Sequence, residues 1–158
     1  YEGLCYMRTL REDTEFIYSD DHVFNLGGFD VLHEGRDVVI AASGYMVHVG
    51  NQVVDALDKL GVSPTLVDMY SIPFDNDKLL DLVADNGGYV ISLEDNYGGG
   101  LGSAIADALC ASGDGFTLEQ MHVRRIPKSA RTPGEMLEMC GLTADHVVAQ
   151  VRSMLQLV

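Results

Sequence analysis

Apolar residues along the chain follow two alternating patterns, short continuous runs and stripes at helical spacing. The run VVIAAS at 38–43 is typical of a strand that is buried on both faces. After it, apolar residues recur at steps of four, four and three, which predicts one face of a helix: Val49, Val53, Leu57 and Leu60. Gly61 follows, and glycine is favoured just beyond the end of a helix. The first unit is therefore a buried strand followed by an amphipathic helix.

This strand-and-helix unit recurs along the rest of the chain. Further strands are predicted at 65–69, 89–93 and 117–126, and Asp75 is a candidate N-cap for the second helix. Regular alternation predicts right-handed crossovers and a mostly parallel sheet with helices on both faces. The apolar residues expected on the later helices are Leu79, Leu80 and Val83, then Leu101, Ile105 and Leu109, then Met139, and after a cap at Thr143 the stripe Val147, Val148, Val151, Met154 and Leu155.

One strand-like segment precedes the first unit. It reads FNLGGFDVL at 24–32 and is interrupted by Gly27-Gly28. The connection from this segment to Val38 is short, which favours an antiparallel hairpin over a crossover. We therefore expect a mixed α/β sheet with one antiparallel edge strand.

The charge balance restricts the partners of the chain. The formal charge is −14, from 24 acidic and 10 basic residues, and such a surface repels nucleic-acid backbones. A single arginine at contact distance can still outweigh that field for a small sugar phosphate. No apolar run approaches the roughly 20 residues of a membrane span, so no membrane partner is expected. Because the chain begins at Tyr1 rather than Met, we expect it to be a piece of a longer protein.

Metal-ligating residue types show no ligand spacing. Cys5, Cys110 and Cys140 are odd in number and far apart, which argues against a disulfide framework or a zinc site and suits a cytoplasmic location. The nearest approach to a metal cluster is the run DDH at 20–22. Three adjacent residues cannot all point at one ion, so this run is interpreted as a solvated turn.

The glycine-rich stretch LEDNYGGGLGSAIADAL at 93–109 invites comparison with phosphate-binding loops. Its glycines follow the third strand of the repeating units rather than the first, and no Lys-Ser or Lys-Thr follows them. Both facts argue against a dinucleotide fingerprint and a P-loop. We interpret the glycines as architectural, since they let a helix start close to the sheet. Glu94, Asp95 and Asn96 are candidate acceptors for the helix N–H groups or for another chain.

A ligand site at this stretch stays open as an alternative. If the strand order is flavodoxin-like, the loops at Gly44 and 94–100 lie side by side at the carboxyl edge of the sheet. Open α/β sheets bind ligands at that switch point. The chain would then be a stand-alone regulatory module that binds a small molecule.

Several segments, taken together and in order, carry a family resemblance. The strongest are the run EDNY before the glycines and RIPKS at 125–129. The chain resembles the C-terminal domain of a transketolase (19–158), preceded by the tail of the middle, pyrimidine-binding domain and a linker (1–18). The segments that carry the resemblance are 5–18, 44–57, 67–75, 91–109 and 123–147.

This resemblance implies a three-layer α/β/α sandwich with a mixed five-stranded sheet. It implies a parent enzyme that uses thiamine diphosphate and Mg²⁺ (or Ca²⁺) to move a two-carbon ketol unit between sugar phosphates in the pentose phosphate pathway. In that family the cofactor lies between the N-terminal and middle domains of a homodimer. The resemblance therefore implies no catalytic, cofactor-binding or metal-binding residue in this chain, which would support the dimer and be inactive alone.

One site residue is implied. Arg8 in MRT at 7–9 matches the arginine that reaches the substrate phosphate in transketolases, and a guanidinium fork suits two phosphate oxygens. Within this chain alone no partner that would hold Arg8 in place is expected. Two related families are alternatives, the C-terminal domain of 1-deoxyxylulose-5-phosphate synthase and that of a 2-oxoacid dehydrogenase β subunit. RIPKS followed by PGEMLEMCGL favours transketolase.

Overall fold

The computed structural model describes residues 2–10 and 13–157, and within them strands and helices alternate as predicted. None of the helices in these ranges is long and apolar enough to cross a membrane. The elements are β1 (Asp30–His33), β2 (Val38–Ala42), α1 (Met46–Asp58), β3 (Pro64–Asp68), α2 (Asn76–Asp85), β4 (Tyr89–Tyr97), α3 (Leu101–Ser112), β5 (Thr117–Val123), α4 (Pro133–Cys140) and α5 (Ala144–Met154).

The strands form one five-stranded sheet in the order β1-β3-β2-β4-β5. The pairs β2–β3, β2–β4 and β4–β5 are parallel, and β1 is antiparallel to β3. The predicted mixed sheet with one antiparallel edge strand is confirmed. Since β2 lies between β3 and β4, the strand order reverses direction at the β2–β4 boundary, as in a flavodoxin-like sheet.

The predicted hairpin between β1 and the strand at 38 is wrong, because β3 lies between them. The connecting segment crosses the start of β3 instead. The backbone N–H of Gly35 donates to Thr65 Oγ1 at 2.8 Å, and the N–H groups of Arg36 and Asp37 donate to the Ser63 carbonyl at 2.9 and 3.0 Å. A Cβ on Gly35 would stand 2.3 Å from the carbonyl carbon of Pro64. Only glycine allows this close crossing, which places β1 on the outer side of β3.

Two apolar layers hold the sheet between its helices. Alternate residues of β2 point to opposite faces, so Ile40 packs with α1 and α5, whereas Val39 packs with α2 and α3. All five residues of β2 and all five of β3 are buried. Burial on both faces explains the continuous apolar runs and confirms the three-layer architecture.

Element ends differ from the predictions in a few places. Leu60 lies beyond the end of α1 and is 55% exposed, and β5 ends at Val123 rather than at 126. The predicted strand at 24–32 is shorter, because the N–H of Gly28 turns back to the Asn25 carbonyl. Asp75 caps α2 as predicted, accepting from the Lys78 N–H at 3.1 Å. Thr143 is the N-cap residue of α5 as predicted. Its hydroxyl does not bond to a helix N–H group and instead lies 2.7 Å from His146 Nδ1.

Candidate functional site

The carboxyl edge of the sheet is where the ends of β2 and β4 separate. The N–H of Ser43 donates to the Leu93 carbonyl at 3.2 Å, which is the last backbone contact between the two strand ends. Beyond it, the chain from β2 enters α1 on one face and the chain from β4 enters α3 on the other. The loops at Gly44 and 94–100 thus lie at neighbouring strand ends, as the flavodoxin-like order requires.

Glu94 closes the α3 side of this edge. Its side chain is 5% exposed, and its carboxylate accepts the N–H of Leu101 at 3.2 Å and the N–H of Gly102 at 3.1 Å. A carboxylate at this position satisfies unpaired donors of the first helical turn and is favoured by the helix dipole. The prediction that this acid accepts from the helix N–H groups is confirmed.

The glycines give Glu94 its room. A Cβ on Gly100 would stand 2.4 Å from Glu94 Oε2, and a Cβ on Gly102 would stand 2.7 Å from Ser92 Oγ. Within the run 98–100, only Gly99 has a positive φ, at +100°. The glycines therefore serve close packing of α3 against β4 and its own capping acid, which confirms their architectural interpretation.

Asp95 meets the one site residue that the sequence singled out. Arg8 Nη2 lies 3.1 Å from both carboxylate oxygens of Asp95. The two side chains are 45% and 26% exposed, so the pair stands at the rim of the edge. The expectation that Arg8 has no partner within this chain is therefore wrong. No sequence signal pointed to this pair, because 87 positions separate the two residues.

A groove of about 360 Å³ continues from Asp95 toward α4. Its walls come from the N-terminal segment, the end of β4, the end of β5 and one face of α4. Most of the lining side chains are apolar, including Leu10, Tyr97 and Met136. Pro127 of the RIPKS segment also lines it, whereas the neighbouring Ile126 is 83% exposed.

A second group of polar side chains lies where the N-terminal segment meets β1 and β3. The Tyr18 hydroxyl donates to Asp68 Oδ2 at 2.8 Å, and His22 Nε2 lies 2.8 Å from Asp30 Oδ2. The rings of Tyr18 and His22 stack with centroids 4.2 Å apart. The DDH run predicted as a solvated turn is therefore solvated at its two acids only, since its histidine faces Asp30.

Burial shifts the titration of this group. Burial raises the pKa of Asp68 above its ordinary value, the Tyr18 hydrogen bond opposes the shift, and the charge of Asp30 adds to it. Burial and the hydrogen bond to Asp68 together raise the pKa of Tyr18. Both groups therefore favour their protonated forms in the folded protein. Their sequence spacing of 50 positions gave no sign of the contact.

Glu94 occupies two N–H groups at the start of α3. A phosphate bound at this helix start would need the N–H groups of Leu101 and Gly102, which are already bonded to Glu94. Over 2–10 and 13–157, no group of three His, Cys, Asp or Glu side chains converges on a point that could hold a metal ion. Glu94 therefore fills the α3 side of the strand-end crevice, and the groove lies on its other side, beside Asp95.

The sheet order and the helix layers on both faces define a doubly wound α/β domain. A family model described as "Transketolase, C-terminal domain" matches residues 27–147. The chain belongs to this family, as the resemblance of its motifs indicated.

Individual relatives agree with the family match. Human transketolase is 28% identical over 158 residues, which are 98% of this chain and 25% of that protein. Bovine transketolase-like protein 2 is 31% identical over 157 residues, 96% of this chain and 25% of that protein. The chain thus spans about a quarter of the length of these curated relatives. A solved structure described as "Split gene transketolase, inactive beta4 tetramer" superposes with a TM-score of 0.85 and 34% identity, covering 93% of this chain and 48% of that one.

Proposed function

We propose that this chain is the supporting C-terminal lobe of a transketolase that transfers a two-carbon ketol unit between sugar phosphates. The observation that carries the supporting role is the Glu94 carboxylate bonded to the start of α3. This contact uses the helix donors that an anionic cofactor would need. In this proposal the N-terminal and middle domains hold thiamine diphosphate and its Mg²⁺ (or Ca²⁺), and this lobe contributes shape to a cytoplasmic homodimer.

The first residues of the chain suit a boundary with the middle domain. Residues 2–10 form no helix or strand, and Leu4 and Tyr6 are 102% and 89% exposed. Large apolar side chains in that state gain free energy when a neighbouring domain covers them. We assign 1–18 to the tail of the middle domain and the linker, and 19–158 to the C-terminal domain. Arg8 is the residue of this tail that contacts the substrate phosphate.

The relatives support transketolase over the two related thiamine enzymes. Human transketolase and bovine transketolase-like protein 2 are both similar to the chain over nearly its whole length. The split-gene structure, described as an inactive β4 tetramer, is a relative that is inactive in the form solved. That description suits a lobe that needs partner domains, on the same polypeptide or on a separate one.

Reconstitution tests this proposal. The chain alone, and the chain joined to or coexpressed with its N-terminal and middle domains, are assayed for ketol transfer between sugar phosphates with thiamine diphosphate and Mg²⁺. We expect turnover only in the complete assembly. Turnover by the chain alone, or an assembly that fails to transfer ketol units, contradicts the proposal.

The groove beside Asp95 favours one second candidate, a regulatory module that binds a small metabolite. Its volume of about 360 Å³ is within the range of ligand pockets. A thermal-shift screen of nucleotides and sugar phosphates tests this function. A saturable rise in Tm that is lost when groove residue Met136 is replaced by Asp supports it, and no shift across the screen removes it.

A further inference from the structure

We propose that Asp95 is a positioning residue that orients Arg8 toward the phosphate of the sugar substrate. The inference rests on the substrate role proposed above for Arg8. It concerns the geometry of the guanidinium before substrate arrives.

Asp95 is held in place by the fold. Glu94 turns inward to α3 while Asp95 turns to the groove side, in a stretch of β4 whose pairing with β5 is irregular. The carboxylate of Glu94 is fixed by two N–H groups, which fixes the backbone that presents Asp95. The backbone of β4 that carries Asp95 is therefore tied to α3 through the neighbouring Glu94.

Arg8, by contrast, lies on a segment without helix or strand, outside the sheet. The segment contacts the domain at a few points: Arg8 at Asp95, Leu10 in the groove, and farther along Tyr18 at Asp68. A long arginine side chain without an anchor samples many rotamers, and binding must then order it. The Asp95 contact removes part of that freedom in advance.

The contact leaves donors available. Only Nη2 of the guanidinium meets Asp95, at 3.1 Å from each oxygen. Among the described residues no partner is recorded for Nε or Nη1, and these nitrogens carry three of the five guanidinium N–H groups. With 45% of the side chain exposed, these donors can reach a phosphate that approaches the rim.

A double-mutant cycle in the assembled enzyme tests the inference. KM and kcat are measured for a phosphorylated sugar acceptor and for an unphosphorylated hydroxyaldehyde acceptor. For the phosphorylated acceptor we expect Arg8→Ala to raise KM about tenfold or more, and Asp95→Asn to raise it about two- to fivefold. Neither change affects kcat much, because the phosphate contact is the same in ground and transition states. The KM for the unphosphorylated acceptor stays unchanged.

The double variant separates positioning from other roles. If Asp95 acts only through Arg8, adding Asp95→Asn to Arg8→Ala causes no further rise in KM. Asp95→Glu, which keeps the charge, restores part of the affinity. An unchanged or lower KM for Asp95→Asn beside a raised KM for Arg8→Ala overturns positioning and leaves the role of Arg8 standing. An unchanged KM for Arg8→Ala overturns both, and an inactive assembly overturns the transketolase assignment itself.

Discussion

Glu94 and Asp95 are neighbours of the same charge, yet they lie in two very different regions. Glu94 belongs to the closed start of α3, where it is buried and bonded to two N–H groups. Asp95 belongs to the open rim, where it meets one partly exposed arginine. The difference follows from the directions of the two side chains, since Glu94 faces α3 whereas Asp95 faces the groove. Glu94 stabilises the start of α3, whereas Asp95 contacts the arginine of the proposed substrate site.

Replacing the buried Glu94 is expected to lower the free energy of unfolding more than any other change considered. Glu94→Ala leaves two N–H groups at the start of α3 without their acceptor, in a place that water reaches poorly. We expect a loss of about 2–4 kcal/mol in the free energy of unfolding. Urea unfolding measures it, with Glu94→Gln as the control that keeps one acceptor oxygen and loses roughly half as much. A loss below about 1 kcal/mol for Glu94→Ala would contradict the structural role.

A second change tests whether Glu94 needs the space that Gly100 leaves beside it. A Cβ at position 100 would stand 2.4 Å from Glu94 Oε2, so Gly100→Ala must displace the cap. We expect a destabilisation of about 1–3 kcal/mol by urea unfolding. Gly115→Ala is the matched control, because a Cβ there meets no atom within 4 Å, and it should change stability by under about 0.5 kcal/mol. Equal effects of the two substitutions would show that clearance at Glu94 does not matter.

Asp68, the other buried acid, extends the comparison to pH. Its pKa is raised by burial, so the folded protein keeps a proton that the unfolded chain loses above about pH 4. Stability from this group is present at low pH and lost as pH rises through the folded pKa. The free energy of unfolding, measured by urea from pH 4 to 7, should fall more for the wild type than for Asp68→Asn. Parallel pH profiles would show that the shift is absent.

The smallest effect is expected at the rim. Asp95→Ala removes an exposed ion pair, and such pairs contribute about 0–1 kcal/mol to stability. Tm of the isolated chain should therefore change little, in contrast to Glu94→Ala in the same buffer. A loss at Asp95 as large as that at Glu94 would make both acids structural and would end the distinction.

The sequence predicted these regions unequally, for physical reasons. The doubly wound core follows from buried runs and helical stripes, and the role of Glu94 from its place between a strand and a helix. The partner of β1 did not follow, since the decisive contact is Gly35 against the start of β3. Contacts between distant segments, such as Arg8 with Asp95, leave no local pattern and required the folded chain.

The sequence motifs alone indicate the family, but they do not show which residue contacts Arg8. Its role at the substrate phosphate stays a prediction, as does the boundary near residue 18. Both positions lie before the matched region 27–147.

Calorimetric titration of thiamine diphosphate with Mg²⁺ into this chain tests whether the lobe can hold the cofactor by itself. We expect no heat of cofactor binding from the chain alone. Saturable binding of the cofactor is expected once the N-terminal and middle domains are present. Stoichiometric binding of the cofactor by the chain alone would contradict a lobe whose α3 donors are already occupied by Glu94.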